Sequence, residues 1–138
     1  MALAESSDLK GLRLLVVEDE ALIALFIEEL VVSFGCVLAG KASTVNDALA
    51  VIETVPMDGA LIDVNLGGRI AVPVSQALRD KGIPLILVTG YEAPPLTGFP
   101  VVHKPFEASE LRDAIIQHLR PNGRAGLGGW RPVTTVVL

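Results

Sequence analysis

Basic residues are scarce in this chain of 138 residues: 11 Lys and Arg stand against 16 Asp and Glu, for a formal net charge of −5. A nucleic-acid face needs clustered cations to meet phosphates. No such cluster occurs, so nucleic acid is excluded and protein partners or a metal ion suit the acidic surface better. Cysteine is almost absent. The one thiol, Cys36, can close no internal disulfide, which fits a reducing, cytoplasmic setting. No run approaches the roughly 20 uninterrupted apolar residues of a membrane span. The start of the chain, with Glu5 and Asp8 and no apolar core before Leu9, is not a signal peptide. Internal repeats are also missing. What remains is half apolar and one-fifth charged, the balance of one globular domain.

Four apolar runs each end in polar groups. Leu12 to Val17 leads into Glu18-Asp19, Gly59 to Ile62 into Asp63, Ile83 to Val88 into Thr89, and Val101 to His103 into Lys104-Pro105. Short apolar runs of this kind read as buried strands. If the strands are parallel, their C-terminal ends bring Glu18, Asp19, Asp63, Thr89 and Lys104 into one crevice, the usual ligand position of an open α/β sheet.

The intervening segments support that arrangement. Residues 1–10 read as a loose leader. Glu20 to Phe34 reads as a helix, with Ile23, Phe26, Ile27, Leu30, Val31 and Phe34 on one face and Gly35 as its stop. Leu22, Leu25 and Val32 form a second apolar stripe, either scattered surface apolars or a docking face. Cys36 to Ala42 reads as an edge strand. Ser43 or Thr44 caps a helix running to about Thr54, with Val45, Ala48, Leu49 and Ile52 inward. Val72 to Lys81 makes a third helix, started near Pro73 and stopped by Gly82. Short links between alternating strands and helices predict right-handed βαβ crossovers. From Gly90 to Pro100 three prolines break the pattern, so a loop or at most one helical turn is expected there. Glu107 to Leu119 reads as the last helix, with Leu111, Ala114, Ile115 and Leu119 inward. Residues 121–138 combine a Gly-rich linker with the uncharged hexad Val133 to Leu138, which frays, adds to a sheet edge or pairs with a second chain.

Three carboxylates in one crevice repel one another by about 4 kcal/mol per pair at 4 Å and an effective dielectric of 20. A hard dication offsets this, and Mg²⁺, which takes one or two carboxylates together with phosphate oxygens, matches a crevice that also holds a hydroxyl and an ammonium. Asp63 is then the oxygen nucleophile toward an activated phosphoryl group, with Thr89 and Lys104 holding phosphoryl oxygens. Taken singly, each residue has a plainer reading. Glu18-Asp19-Glu20 could stabilise a helix start, Asp63 could be a turn residue, Thr89 a strand-end cap and Lys104 a solvated charge. Four such coincidences at four strand ends are needed to explain the set.

At Val16-Val17-Glu18-Asp19-Glu20, Leu61-Ile62-Asp63-Val64-Asn65-Leu66, Val88-Thr89-Gly90 and His103-Lys104-Pro105-Phe106 the sequence resembles the receiver domains of two-component response regulators. The resemblance covers about Leu12 to Arg120, placing the domain at 11–120. It implies a flavodoxin-like (CheY-like) doubly wound α/β fold with five parallel strands in the order 2-1-3-4-5. It also implies Asp63 as phosphoacceptor, Glu18, Asp19 and Asp63 as Mg²⁺ ligands with the main-chain carbonyl of Asn65, Thr89 as switch hydroxyl, and a cis bond from Lys104 to Pro105. A histidine kinase would donate the phosphoryl group, and a protein partner would read the altered surface unless the chain serves as a phosphate sink.

Two departures from the family pattern stand out. Val101 occupies the usual switch-aromatic position, for which Tyr91 is the substitute candidate, and the Thr89 to Lys104 interval is too short for the usual fourth helix. With Thr-Gly-Tyr and Asn-Leu-Gly-Gly, these features resemble stand-alone receivers that accompany HWE-type kinases. Leu22, Leu25 and Phe26 are the candidate kinase-docking residues, and the terminal hexad is a candidate for self-association. Three other readings compete. A haloacid-dehalogenase-like phosphohydrolase needs an acid at Asn65, which an amide cannot supply, and a degenerate receiver would dock without phosphorylation. A flavodoxin-like cofactor binder lacks the Gly-rich phosphate loop.

Overall fold

The structure is a computed structural model that describes residues 9–92 and 94–119. Five strands form a parallel sheet: β1 (Arg13–Val17), β2 (Val37–Ala42), β3 (Gly59–Ile62), β6 (Leu85–Thr89) and β7 (Val101–His103), in the order β2-β1-β3-β6-β7. This is the expected 2-1-3-4-5 order of the main sheet. Four helices flank it: α1 (Ala21–Ser33), α2 (Val45–Thr54), α3 (Val72–Asp80) and α4 (Ala108–Leu119).

Strand side chains alternate between faces, and the core divides accordingly. Leu15, Val17, Ala60, Ile62 and Leu87 pack with Val45, Ala48 and Ile52 of α2 and Val74 and Leu78 of α3. On the other face, Leu14, Val16, Leu61, Ile86 and Val88 meet Ile27 and Val31 of α1 and Leu111, Ile115 and Leu119 of α4. Leu9, within the segment read as a leader, is fully buried in this second layer. The read tail lies outside the described residues.

Local signals decide the helix ends. The Thr44 hydroxyl accepts the Asp47 N–H at 3.0 Å and caps α2, so the cap is Thr44 and not Ser43. Pro73 sits in the first turn of α3. Glu107 N–H donates to the Glu110 carboxylate, which closes the start of α4.

Two features depart from the sequence expectations. β3 ends at Ile62, as its apolar run predicts, but a small antiparallel hairpin that the sequence reading did not place follows it, β4 (Asn65–Leu66) with β5 (Arg69–Ile70). Gly67 and Gly68 turn it at φ +61° and +91°, a backbone region that glycine enters without a Cβ clash. Phe26 is also not on the inward face of α1. It is 45% exposed, while Leu22 is 81% exposed. Between β6 and β7 no helix forms among the described residues, and Leu96 and Phe99 instead turn into the core, with the Arg79 guanidinium 5.1 Å from the Phe99 ring centroid.

Candidate metal centre

The parallel register sets the strand ends level. Val17 pairs with Ile62 and Ile62 with Leu87, while Thr89 pairs with His103. Backbone bonds carry the alignment one residue further: Glu18 N–H to Ala42 O at 3.0 Å, Asp63 N–H to Val17 O at 2.9 Å, and Lys104 N–H to Thr89 O at 2.8 Å. Each side chain that the sequence reading singled out for the crevice therefore leaves its strand at the same edge.

The three carboxylates of Glu18, Asp19 and Asp63 present oxygens within 4.8 Å of one another. Glu18, Asp63 and Thr89 are buried, and Asp19 is exposed. Lys104 Nζ lies 2.8 Å from Glu18 Oε1 and 3.4 Å from Asp63 Oδ2, bridging two of the three acids. Three of the four remaining carboxylate oxygens are placed by backbone N–H groups. Glu20 N–H donates to Glu18 Oε2 at 3.2 Å, Asn65 N–H to Asp63 Oδ1 at 3.3 Å, and Gly67 N–H to Asp19 Oδ2 at 2.9 Å. Above them opens a cleft of about 470 Å³ whose walls include Asp19, Asp63, Asn65, Thr89, Tyr91 and Lys104.

Charge and burial oppose each other here. Burial pushes the Glu18 carboxyl up to about 7, and repulsion from Asp63 adds to the rise, against the pull of Lys104 and the Glu20 N–H. For Lys104, burial alone would lower the pKa, but hydrogen bonding and attraction to Glu18 and Asp63 outweigh it, and the net shift is upward. The ion pair thus favours the charged lysine, while Glu18 sits too deep for the same pair to restore its ordinary acidity.

No protein-family model matches the chain and no curated protein sequence does, so the kinship is carried by solved structures. SdrG from Sphingomonas melonis Fr1 is 34% identical, with a TM-score of 0.68 over 76% of this chain and 93% of that one. The receiver domain of the PhyR response regulator from Erythrobacter litoralis is 30% identical, with a TM-score of 0.70 over 78% of this chain and 89% of that one. The chain belongs to the receiver-domain family of response regulators. The response regulator PhyR from Brucella abortus is 31% identical with a TM-score of 0.77; the match covers 91% of this chain and 54% of that one, so this chain spans about half the length of that relative.

As a receiver, the chain carries an acidic pocket of the kind that holds Mg²⁺ in this family. The donor set fits that ion. All three side chains offer hard oxygens, and they present one oxygen each within 4.8 Å of one another, close enough to share one cation. The Lys104–Pro105 bond is cis, as the resemblance implies.

The receiver's departures from pattern also find their places. Val101 is half-buried in the core layer of α2 and α3. Tyr91 spans the cleft mouth: its N–H donates to Thr89 Oγ1 at 3.1 Å, and its hydroxyl accepts the Asn65 Nδ2 amide at 3.1 Å. Leu22, Leu25 and Phe26 lie exposed on α1 and are not part of the cleft. The sequence reading missed Gly67, whose N–H holds Asp19, and the Asn65 side chain, whose Oδ1 accepts the Gly68 N–H at 2.8 Å. Asn-Leu-Gly-Gly-Arg-Ile is a hairpin signal that would have found both.

Proposed function

We propose that this receiver is a phosphorylation switch that accepts a phosphoryl group on Asp63 from a histidine kinase, in a Mg²⁺-dependent reaction, and signals to a protein partner or drains phosphate from the kinase. The observation that carries the reading is Lys104 Nζ held between Glu18 and Asp63 at the mouth of a cleft that Thr89 also lines. Mg²⁺, held by Glu18, Asp19, Asp63 and the Asn65 carbonyl, would neutralise charge on the phosphoryl oxygens.

The chain's own groups divide the remaining work. An oxygen of Asp63 forms the new P–O bond while the P–N bond to the donor imidazole breaks, the ring nitrogen keeping the electron pair. Asn65 N–H fixes Asp63 Oδ1, and Lys104 faces Oδ2 and is placed to neutralise an incoming phosphoryl oxygen. The Thr89 hydroxyl oxygen already accepts the Tyr91 N–H, which leaves its own proton to donate to the phosphoryl group. Added charge at Asp63 would draw Thr89 inward and, through Tyr91, shift the mouth of the cleft.

The kinase is proposed to be of the HWE type and to dock on α1 through Leu22, Leu25 and Phe26, in the cytoplasm. Among the described residues no helix is long and apolar enough to cross a membrane. Incubation with a small phosphodonor and Mg²⁺ should add one acid-labile phosphoryl group, and either Asp63→Asn or chelation of the metal should abolish it. Uptake that survives in Asp63→Asn would reject the assignment. For docking, a Leu22→Glu, Leu25→Glu double variant should lose transfer from the kinase while keeping uptake from the small donor; unchanged transfer would reject α1 as the contact.

A further inference from the structure

Phe26 is an aromatic side chain 45% exposed on α1, and it is not left unpartnered. Its ring stacks on Phe106, centroids 5.7 Å apart and planes inclined by 30°. Phe106 lies two residues beyond Lys104, and Phe26 rises from the helix that follows Glu18. The segment from β1 into α1 therefore grips the segment from β7 into α4 twice. One grip is the Glu18 carboxylate on the Lys104 ammonium at 2.8 Å, and the other is the ring of Phe26 on that of Phe106.

The placement of Lys104 matters because its ammonium is shared. It stands 2.8 Å from Glu18 and 3.4 Å from Asp63, so a small movement of its backbone alters which acid it serves. Backbone hydrogen bonds secure this segment at Lys104, through Thr89 O, and again at Glu107, whose carbonyl accepts the Glu110 N–H at 2.9 Å. Between those points the Phe106 ring supplies a tether through its stacked contact with the Phe26 ring.

We propose that Phe106, through its stack on Phe26, is a positioning residue for Lys104 in phosphoryl transfer to Asp63. The proposal rests on Asp63 being the acceptor, and its test separates the two. Phe106→Ala and Phe26→Ala should each slow uptake from acetyl phosphate at saturating Mg²⁺ by about tenfold, a scale that sub-ångström misplacement of a reacting group can reach. Phe106→Tyr, which keeps the ring, should restore the wild-type rate.

Action through Lys104 has a signature that loss of packing alone would not give. Lys104→Gln should be slow by itself, and adding Phe106→Ala should slow it no further. The Lys104 side-chain nitrogen resonance should also shift in Phe26→Ala and in Phe106→Ala, and stay in place in Phe106→Tyr. Multiplying rate effects in the double variant, or a wild-type rate in Phe106→Ala, would overturn the proposal. If the wild-type protein takes up no phosphoryl group, the acceptor reading fails instead. In that case an unmoved Lys104 resonance would still reject the tether. Phe26→Leu, which keeps bulk on α1 without the ring, serves where an alanine variant does not fold and should show the same loss of rate and the same moved resonance.

Discussion

At the scale of single residues, the buried pair of Glu18 and Lys104 is where site and stability meet. Removing one partner of a buried pair leaves the other charge stranded, a loss of about 3 kcal/mol or more. Lys104→Met should therefore destabilise the metal-free protein by about 3 kcal/mol at pH 8. The sign of the pH dependence follows from Glu18, whose folded-state pKa of about 7 lies above its ordinary value of 4.5. Between those values the folded protein holds a proton that the unfolded chain has released, so acidification favours the folded state. The contribution is complete below 4.5 and lost as pH rises through about 7. The penalty of Lys104→Met should accordingly shrink at pH 5, where Glu18 is neutral. Urea unfolding of both proteins at pH 5 and pH 8 measures this, and a penalty equal at the two values would contradict the burial of a charged Glu18.

At the scale of elements, the hairpin of β4 and β5 holds the acids in place from outside the main sheet. Gly67 contributes an N–H to Asp19 while sitting at φ +61°. A side chain there costs about 1 kcal/mol of left-handed strain, so Gly67→Ala should lower stability by that amount and also weaken Mg²⁺ binding, which a metal titration followed by calorimetry would detect. Gly59 on β3 is sensitive for a different reason. An added Cβ would lie 3.1 Å from Leu119 of α4 and 3.3 Å from Leu14 of β1. Overpacking of this kind costs about 1–3 kcal/mol, and Gly59→Ala should show it as a lowered denaturation midpoint without any change in metal affinity. The main elements were legible because each rests on a strong periodic signal: apolar runs for β1, β3 and β6, a period near 3.6 for α2 and α4. The hairpin was harder to read, because two residues per strand carry no periodicity and only its Gly67-Gly68 turn marks it. Phe26 was misplaced because α1 is apolar on nearly every side, so spacing alone could not say which stripe faces the sheet. The second stripe, Leu22 and Leu25, was read off the same spacing and is exposed.

At the scale of the whole molecule, four strands that start from distant points of the chain deliver the groups of the candidate site to one edge. The site was legible in the sequence because a parallel sheet converts position at a strand end into position in space, so Glu18, Asp63, Thr89 and Lys104 could be assembled before any distance was known. What could not be read was the choice each group makes among its neighbours. Lys104 lies closer to Glu18 than to Asp63, and Tyr91 ties Thr89 to Asn65 across the cleft mouth. Those preferences depend on differences of tenths of an ångström that no pattern of residue types encodes. The convergence on Asp63 is tested most directly by treating the protein with a phosphodonor and Mg²⁺, reducing the acyl phosphate with borohydride, and mapping the product by peptide mass spectrometry. The expected result is homoserine at position 63 and at no other acidic residue. Homoserine at Asp19 or the longer alcohol, 2-amino-5-hydroxypentanoate, at Glu20 in its stead, or an unmodified Asp63 after full exposure to the donor, would contradict it.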